Sequence, residues 1–129
     1  MIEKKTAYAN LKEFEGIFYV EYTCKNIDLT IAQKLVEERL EITNNISSYI
    51  FVDGTKVISI DKKARDFFGS ENGTHLIGGM AIYSNSKLSS FLANFLVKVN
   101  LVKYNIPIKI FNDQIAAVLW LKEIKSKNG

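Results

Sequence analysis

From residue 48 onward the chain passes three times from a short β-branched or aromatic run into helical spacing. Ser-Tyr-Ile-Phe-Val-Asp at 48–53 leads into a helical pattern at 61–68. Gly-Met-Ala-Ile-Tyr at 79–83 leads into one at 87–102, and Ile-Pro-Ile-Lys-Ile-Phe at 106–111 into one at 114–125. Turn-forming residues punctuate each passage. Parallel neighbours cannot be joined by a tight turn and need a crossover of a dozen or more residues, which these helices supply. The pattern therefore predicts an α/β fold in which the three runs lie side by side in one direction.

The front of the chain adds two strands and a helix. Residues 8–15 and 17–22 flank Glu15-Gly16, a two-residue junction suited to a tight hairpin. Asp28 or Thr30 can cap a helix whose apolar stripe is Leu29, Ala32, Leu35, Val36, Leu40 and Ile42, and Asn44-Asn45 ends it. Asp61 caps a short helix bearing Ala64, Phe67 and Phe68, while Gly78-Gly79 permits close backbone approach. In the helix from Lys87, Leu88, Phe91, Leu92, Phe95, Leu96, Val99 and Val102 form a core face, with Ala93, Val97 and Leu101 nearly opposite. Asn112-Asp113 caps the last helix, whose Ala117, Trp120, Leu121 and Ile124 face inward. The expected order is ββαβαβαβα around a mixed sheet of about five strands. It forms a single domain over residues 1–129, with 1–6 and 126–129 frayed.

At 129 residues and 47% hydrophobic content, one real core is affordable. The net charge of +3 comes from basic residues scattered among acidic ones, so no concentrated footprint for nucleic acid exists. Cys24 is the only cysteine, which excludes an internal disulfide and any multi-cysteine metal site. Lys87, Asn94 and Lys98 interrupt the most apolar stretch before it reaches the length of a membrane span, and the start lacks the apolar core of a secretory signal. The expected compartment is the cytoplasm.

Two stretches resemble a known family. Phe111-Asn112-Asp113 followed by Ala117 and Trp120-Leu121 is similar to the tail of SpoIIAA-like proteins, the STAS domains of bacterial anti-sigma-factor antagonists and their STAS/SEC14-like relatives. Val57-Ile58-Ser59-Ile60-Asp61 is similar to the apolar run that ends in Asp before their second helix. The resemblance implies a SpoIIAA-like topology and a regulatory role. In the antagonists a Ser-Ser-Gly with a phosphorylated serine follows that Asp. Here Lys62-Lys63-Ala64 follow, so the phospho-acceptor is not carried over.

Ligands of open parallel sheets favour the crevice beyond the strands' carboxyl ends. Asp53, Thr55, Ser84, Ser86, Asn112 and Asp113 should gather there, offering hydroxyls, amides and helix starts, although turns and helix caps select the same residue types. Asp53, Ser84 and Lys109 loosely imitate a response-regulator receiver, but the acidic pair that would hold Mg²⁺ is missing from 17–22. His75 reads as a loop residue, and Glu37, Glu38 and Glu41 as a solvated helix face; Trp120 reads as a core anchor. For contact with a partner, the strip Ala93, Val97, Leu101 and the basic residues Lys62, Lys63 and Arg65 stand out. The sequence thus points to a non-enzymatic regulator without cofactor or metal, working through a protein partner or as a homodimer. The alternative is a binder of a small apolar molecule or lipid in a pocket between the sheet and Phe67, Phe68, Phe91 and Phe95.

Overall fold

A computed structural model describes residues 2–85, 92 and 106–128. Its main sheet has six strands: β1 (Ile2–Lys5), β2 (Ala9–Phe14), β3 (Ile17–Tyr22), β5 (Ser48–Asp53), β7 (Ile77–Tyr83) and β8 (Ile108–Phe111). A two-stranded ribbon joins β4 (Asn26–Ile27) to β6 (Ser59–Ile60). The helices among the described residues are α1 (Leu29–Ile42), α2 (Lys62–Phe68) and α3 (Gln114–Asn128).

The hairpin forms where the sequence places it. Glu15 and Gly16 both take positive φ, 53° and 79°, the left-handed pair that matches the twist of a tight hairpin. β2 and β3 then pair antiparallel from Phe14↔Ile17 to Ala9↔Tyr22. β3, β5, β7 and β8 are parallel, so the runs around Phe51, Ile82 and Ile110 do lie side by side in one direction. Both ribbon strands end in a helix cap. Asp28 accepts from Ile31 N at 2.8 Å and Asp61 from Ala64 N at 2.8 Å, satisfying donors that open α1 and α2.

Spatial order in the sheet is β1–β2–β3–β5–β7–β8, the order of the chain itself. Right-handed crossovers in a sheet built in one direction put their helices on a single face. α1 and α2 share such a face, packing Leu35 and Ala64 over Leu11, Val20, Ile50, Val52, Met80 and Ile82. α3 follows the last strand, has no further strand to reach, and covers the other face, where Ala117 and Leu121 are buried on Ile17, Phe51 and Ala81. Gly79 makes this contact possible, since a Cβ there would stand 2.5 Å from Ile124 Cδ1.

Two expectations are corrected. Residues 2–5, placed in a frayed terminus by the sequence, form the sheet's sixth strand, and the last helix extends to Asn128. β1 is held by its ladder to β2, by Lys4 donating to Glu41 at 3.0 Å, and by Thr6 donating to Glu38 at 2.7 Å. Glu41 and Glu38, expected as a purely solvated face, thereby tie the edge strand to α1. The helix expected at 87–102 lies outside the described residues apart from Leu92, which is buried in the α1–α2 core.

Candidate functional site

Topology brings the expected crescent together. Register pairs Asp53 with Tyr83 and Tyr83 with Phe111, so the loops after β5, β7 and β8 leave one edge of the sheet side by side. Their polar groups are spent on the loops themselves. Asp53 Oδ1 accepts from Thr55 N at 3.0 Å and from Thr55 Oγ1 at 2.6 Å. Thr55 O accepts from Asn85 Nδ2 at 3.0 Å, Gly54 N donates to Tyr83 O at 2.8 Å, and Ser84 N donates to Phe111 O at 3.2 Å. Asp113 accepts from Ile115 N at 3.2 Å at the start of α3, and Asn112 is exposed. Ser86 lies outside the described residues. These groups stitch strand ends together, and a strand order that never reverses offers no switch-point crevice between them.

Beneath this edge, on the α1–α2 face, is a cavity of about 60 Å³ that the sequence does not announce. Val52, Met80, Ile82, Val57 and Phe68 make it apolar, and Tyr22, Arg65 and Ser84 are its polar wall groups. Phe68 is thus one of the four expected pocket phenylalanines; Phe67 packs against the same core, and Phe91 and Phe95 lie outside the described residues. Burial pushes the Tyr22 phenol up to about 12, against the opposing positive charge of Arg39. Its hydroxyl makes no hydrogen bond among the described residues.

Arg39 is the functional-looking residue that sequence reasoning overlooked. It is 5% exposed, and no carboxylate pairs with it among the described residues. Nη1 donates to His75 O at 2.9 Å and Nη2 to Gly73 O at 3.2 Å, so the guanidinium clamps the loop between α2 and β7. Burial lowers its pKa, as expected of a desolvated cation. Helical spacing from Ala32, Leu35 and Val36 puts position 39 on the buried stripe, and that was the available signal.

Of the basic residues proposed as a contact surface, Lys62 pairs with Asp66 at 3.0 Å, and Arg65 donates to Ile60 O at 2.7 Å while lining the cavity. Lys63 is exposed, and Ala93, Val97 and Leu101 lie outside the described residues. An apolar surface does exist elsewhere. α3 and the β2–β3 hairpin border a shallow groove lined by Phe14, Tyr19, Ile115, Val118 and Leu119, with Lys12 and Lys122 at its rim. Ile115 is 72% exposed, Leu119 61% and Phe14 49%.

Groups that could support chemistry are dispersed. His75 is exposed and Cys24 half-buried, its thiol pushed up by burial. Glu21 does stand beside Asp53 in register, but Asn10 donates to it at 2.9 Å and Lys56 pairs with it at 3.3 Å, which together hold its carboxyl below the usual range. Lys109 lies over the Phe111 ring rather than reaching toward Asp53. Among the described residues no three His, Cys, Asp or Glu side chains converge, and no helix is long and apolar enough to cross a membrane.

Comparison with solved structures gives the fold an independent footing. The chain is similar to an uncharacterised protein of the DUF3478 family with a SpoIIAA-like fold from Shewanella loihica PV-4. The TM-score is 0.59 at 15% identity, covering 92% of this chain and 98% of that one. The fold is SpoIIAA-like, as the tail motif and the element order imply. No curated protein matches the chain. A family model, the domain of unknown function DUF7793, matches residues 11–125. Covering nearly the whole described fold, that match makes the chain a member of the DUF7793 family.

Proposed function

We propose that this domain is a non-enzymatic interaction module that engages a protein partner through the groove between α3 and the β2–β3 hairpin. One observation carries the reading: Phe14, Ile115 and Leu119 are large apolar side chains left exposed together around one concave surface. Single exposed apolar residues are ordinary, whereas a contiguous apolar patch marks a contact site. Burying what remains exposed of each is worth roughly 1–2 kcal/mol at about 25 cal/mol per Å². The rim supports a choice of partner. Lys12 and Lys122 flank the groove, Lys122 being paired with Glu15 at 3.4 Å, and no acidic side chain among the described residues lines it, which leaves Lys12 to face an amphipathic segment with an acidic margin.

The antagonists' phospho-acceptor has no counterpart at the turn that opens α2. Asp61 caps α2 as their Asp precedes the second helix, but Lys62, Lys63 and Ala64 carry no hydroxyl, and Ser59 Oγ donates to Asn26 Oδ1 at 2.7 Å within the ribbon. Binding alone, rather than phosphorylation at this turn, would carry the regulation.

The test compares the native chain with Ile115→Glu/Leu119→Glu, both positions being too exposed for the change to disturb folding. Light scattering across ~10–500 µM and a cross-linked pull-down, each at matched thermal stability, should show a complex or an oligomer that the variant loses. Identical behaviour of the two proteins sinks the proposal.

A further inference from the structure

We propose that a small chamber between α1 and the sheet is a binding site for one monatomic anion, chloride, held by Arg39 and Tyr22. A charge that the fold leaves uncompensated carries the proposal. Arg39 is 5% exposed, and a cation so buried is ordinarily paired. No acid is left over to pair with it. All 14 Asp and Glu residues are among the described ones, since 86–105 contains neither type. Each of them is exposed or half-exposed, and none forms an ion pair with Arg39.

A guanidinium has five N–H donors, and Arg39 spends two of them, on His75 O at 2.9 Å and Gly73 O at 3.2 Å. Its Nε–H and the Tyr22 hydroxyl are left without a partner. Among the described residues every fully enclosed side-chain polar atom has one, so these two atoms border free space. The space that both residues line is a chamber of about 20 Å³. A water needs about 10–15 Å³ by the same measure, so one water-sized species fits and a carboxylate or phosphate does not. The walls decide between water and an ion. Leu35, Val36, Ile50, Val52 and Phe68 offer no polar side-chain atom, and the Gly73 carbonyl is spent on Arg39. A water could accept from Arg39 and donate to the Tyr22 oxygen, but its second hydrogen would find no acceptor. An anion accepts from both groups and neutralises the buried guanidinium as well. Burial keeps the Tyr22 phenol protonated through the physiological range, so it is a donor to that anion.

Sodium chloride is the probe, exchanged for sodium gluconate at constant ionic strength while the full chain is unfolded in urea. With a Kd of about 10 mM, about 150 mM chloride should raise the folding constant about 16-fold over gluconate, and the gain should saturate. The ³⁵Cl resonance should broaden in the presence of the native chain. Arg39→Met keeps the stem and removes the charge, so its urea midpoint should be the same in both salts. Tyr22→Phe preserves the shape of the ring and should weaken chloride about threefold, which keeps the test decisive should the Met variant fail to fold. Equal midpoints of the native chain in the two salts, the result a bound water would give, would overturn the assignment. So would a chloride-dependent gain that both variants retain in full, since that would be a general salt effect. The chamber and the α3 groove lie on opposite faces of the sheet, so failure here leaves the interaction surface untouched.

Discussion

Arg39→Ala should remove about 3 kcal/mol of stability, an unusual loss for a charged residue on a helix. The magnitude follows from its surroundings. Two hydrogen bonds from a charged donor, to His75 O and Gly73 O, are worth about 1.5–3 kcal/mol each. Against this stands the cost of burying a guanidinium without a carboxylate, several kcal/mol that the mutation refunds. Truncation then adds the lost packing of the stem among Leu35, Val36 and Tyr22 and leaves two carbonyls short of donors. Arg39→Met restores the stem and not the bonds, so it should lose only about 1–2 kcal/mol.

Urea unfolding read by circular dichroism measures both variants, with the midpoint falling and the m-value unchanged. The melting temperature of Arg39→Ala should fall by about 10 °C. Hydrogen exchange localises the effect: amides of residues 70–77 should lose protection before those of β5 do. A loss below about 1 kcal/mol for Arg39→Ala, or a Met variant as unstable as the Ala variant, would refute the clamp.

Other consequences are separately measurable. Because burial raises the folded pKa of Tyr22 to about 12 against 10.0 unfolded, its contribution is intact below pH 10 and lost as pH climbs toward 12, by up to about 3 kcal/mol. Thermal melts from pH 9 to 11.5 should therefore decline less steeply in Tyr22→Phe than in the native chain; parallel curves would disprove it. Gly73→Ala should cost at least about 2 kcal/mol, because its Cβ would run into the Phe67 carbonyl and the Phe68 backbone, which cannot yield as a flexible side chain can. Asp28→Ala and Asp61→Ala should each cost about 1 kcal/mol in urea. Since Ile27 and Ile60 are paired in register, the two caps follow neighbouring strand ends, and because either single variant already relieves any repulsion between their carboxylates, the double variant should lose more than the sum. Strict additivity would show that the caps ignore each other.

What the sequence made legible was whatever local chemistry dictates. Glu15-Gly16 demanded a hairpin turn, and 48–53 carried enough apolar β-formers on both faces to define β5 to the residue. β1 was illegible because Ile2-Glu3-Lys4-Lys5 has no buried face; all four are exposed, and only the ladder and two contacts to α1 hold them. The candidate crescent was half legible. Connectivity placed Asp53, Ser84 and Asp113 on one edge, but nothing local reveals that Thr55 and Ile115 already occupy those carboxylates. The groove was available in the pattern. Ile115 and Leu119, four apart and off the Ala117–Leu121 stripe, must point away from the sheet. A cavity, by contrast, is the space that distant side chains fail to fill, and no spacing rule encodes it.

Strand order explains why function should be sought on the faces of this sheet. A doubly wound sheet reverses direction, parts two adjacent loops, and opens a crevice where the strands end. Here each crossover steps the same way, so successive loops stay in contact and close over the edge with their own polar groups, as the bonds among Asp53, Thr55, Tyr83 and Asn85 illustrate. The same progression makes the faces unequal. One receives α1 and α2, and a cavity remains there where α2 is only seven residues long. Among the described residues the other receives α3, which covers β5, β7, β8 and Ile17 of β3 and leaves Phe14 at the hairpin's edge beside it half-exposed. Void and groove are therefore the two outcomes of one winding rule, and a ligand seated instead among the carboxyl ends would first have to break the hydrogen bonds that close them.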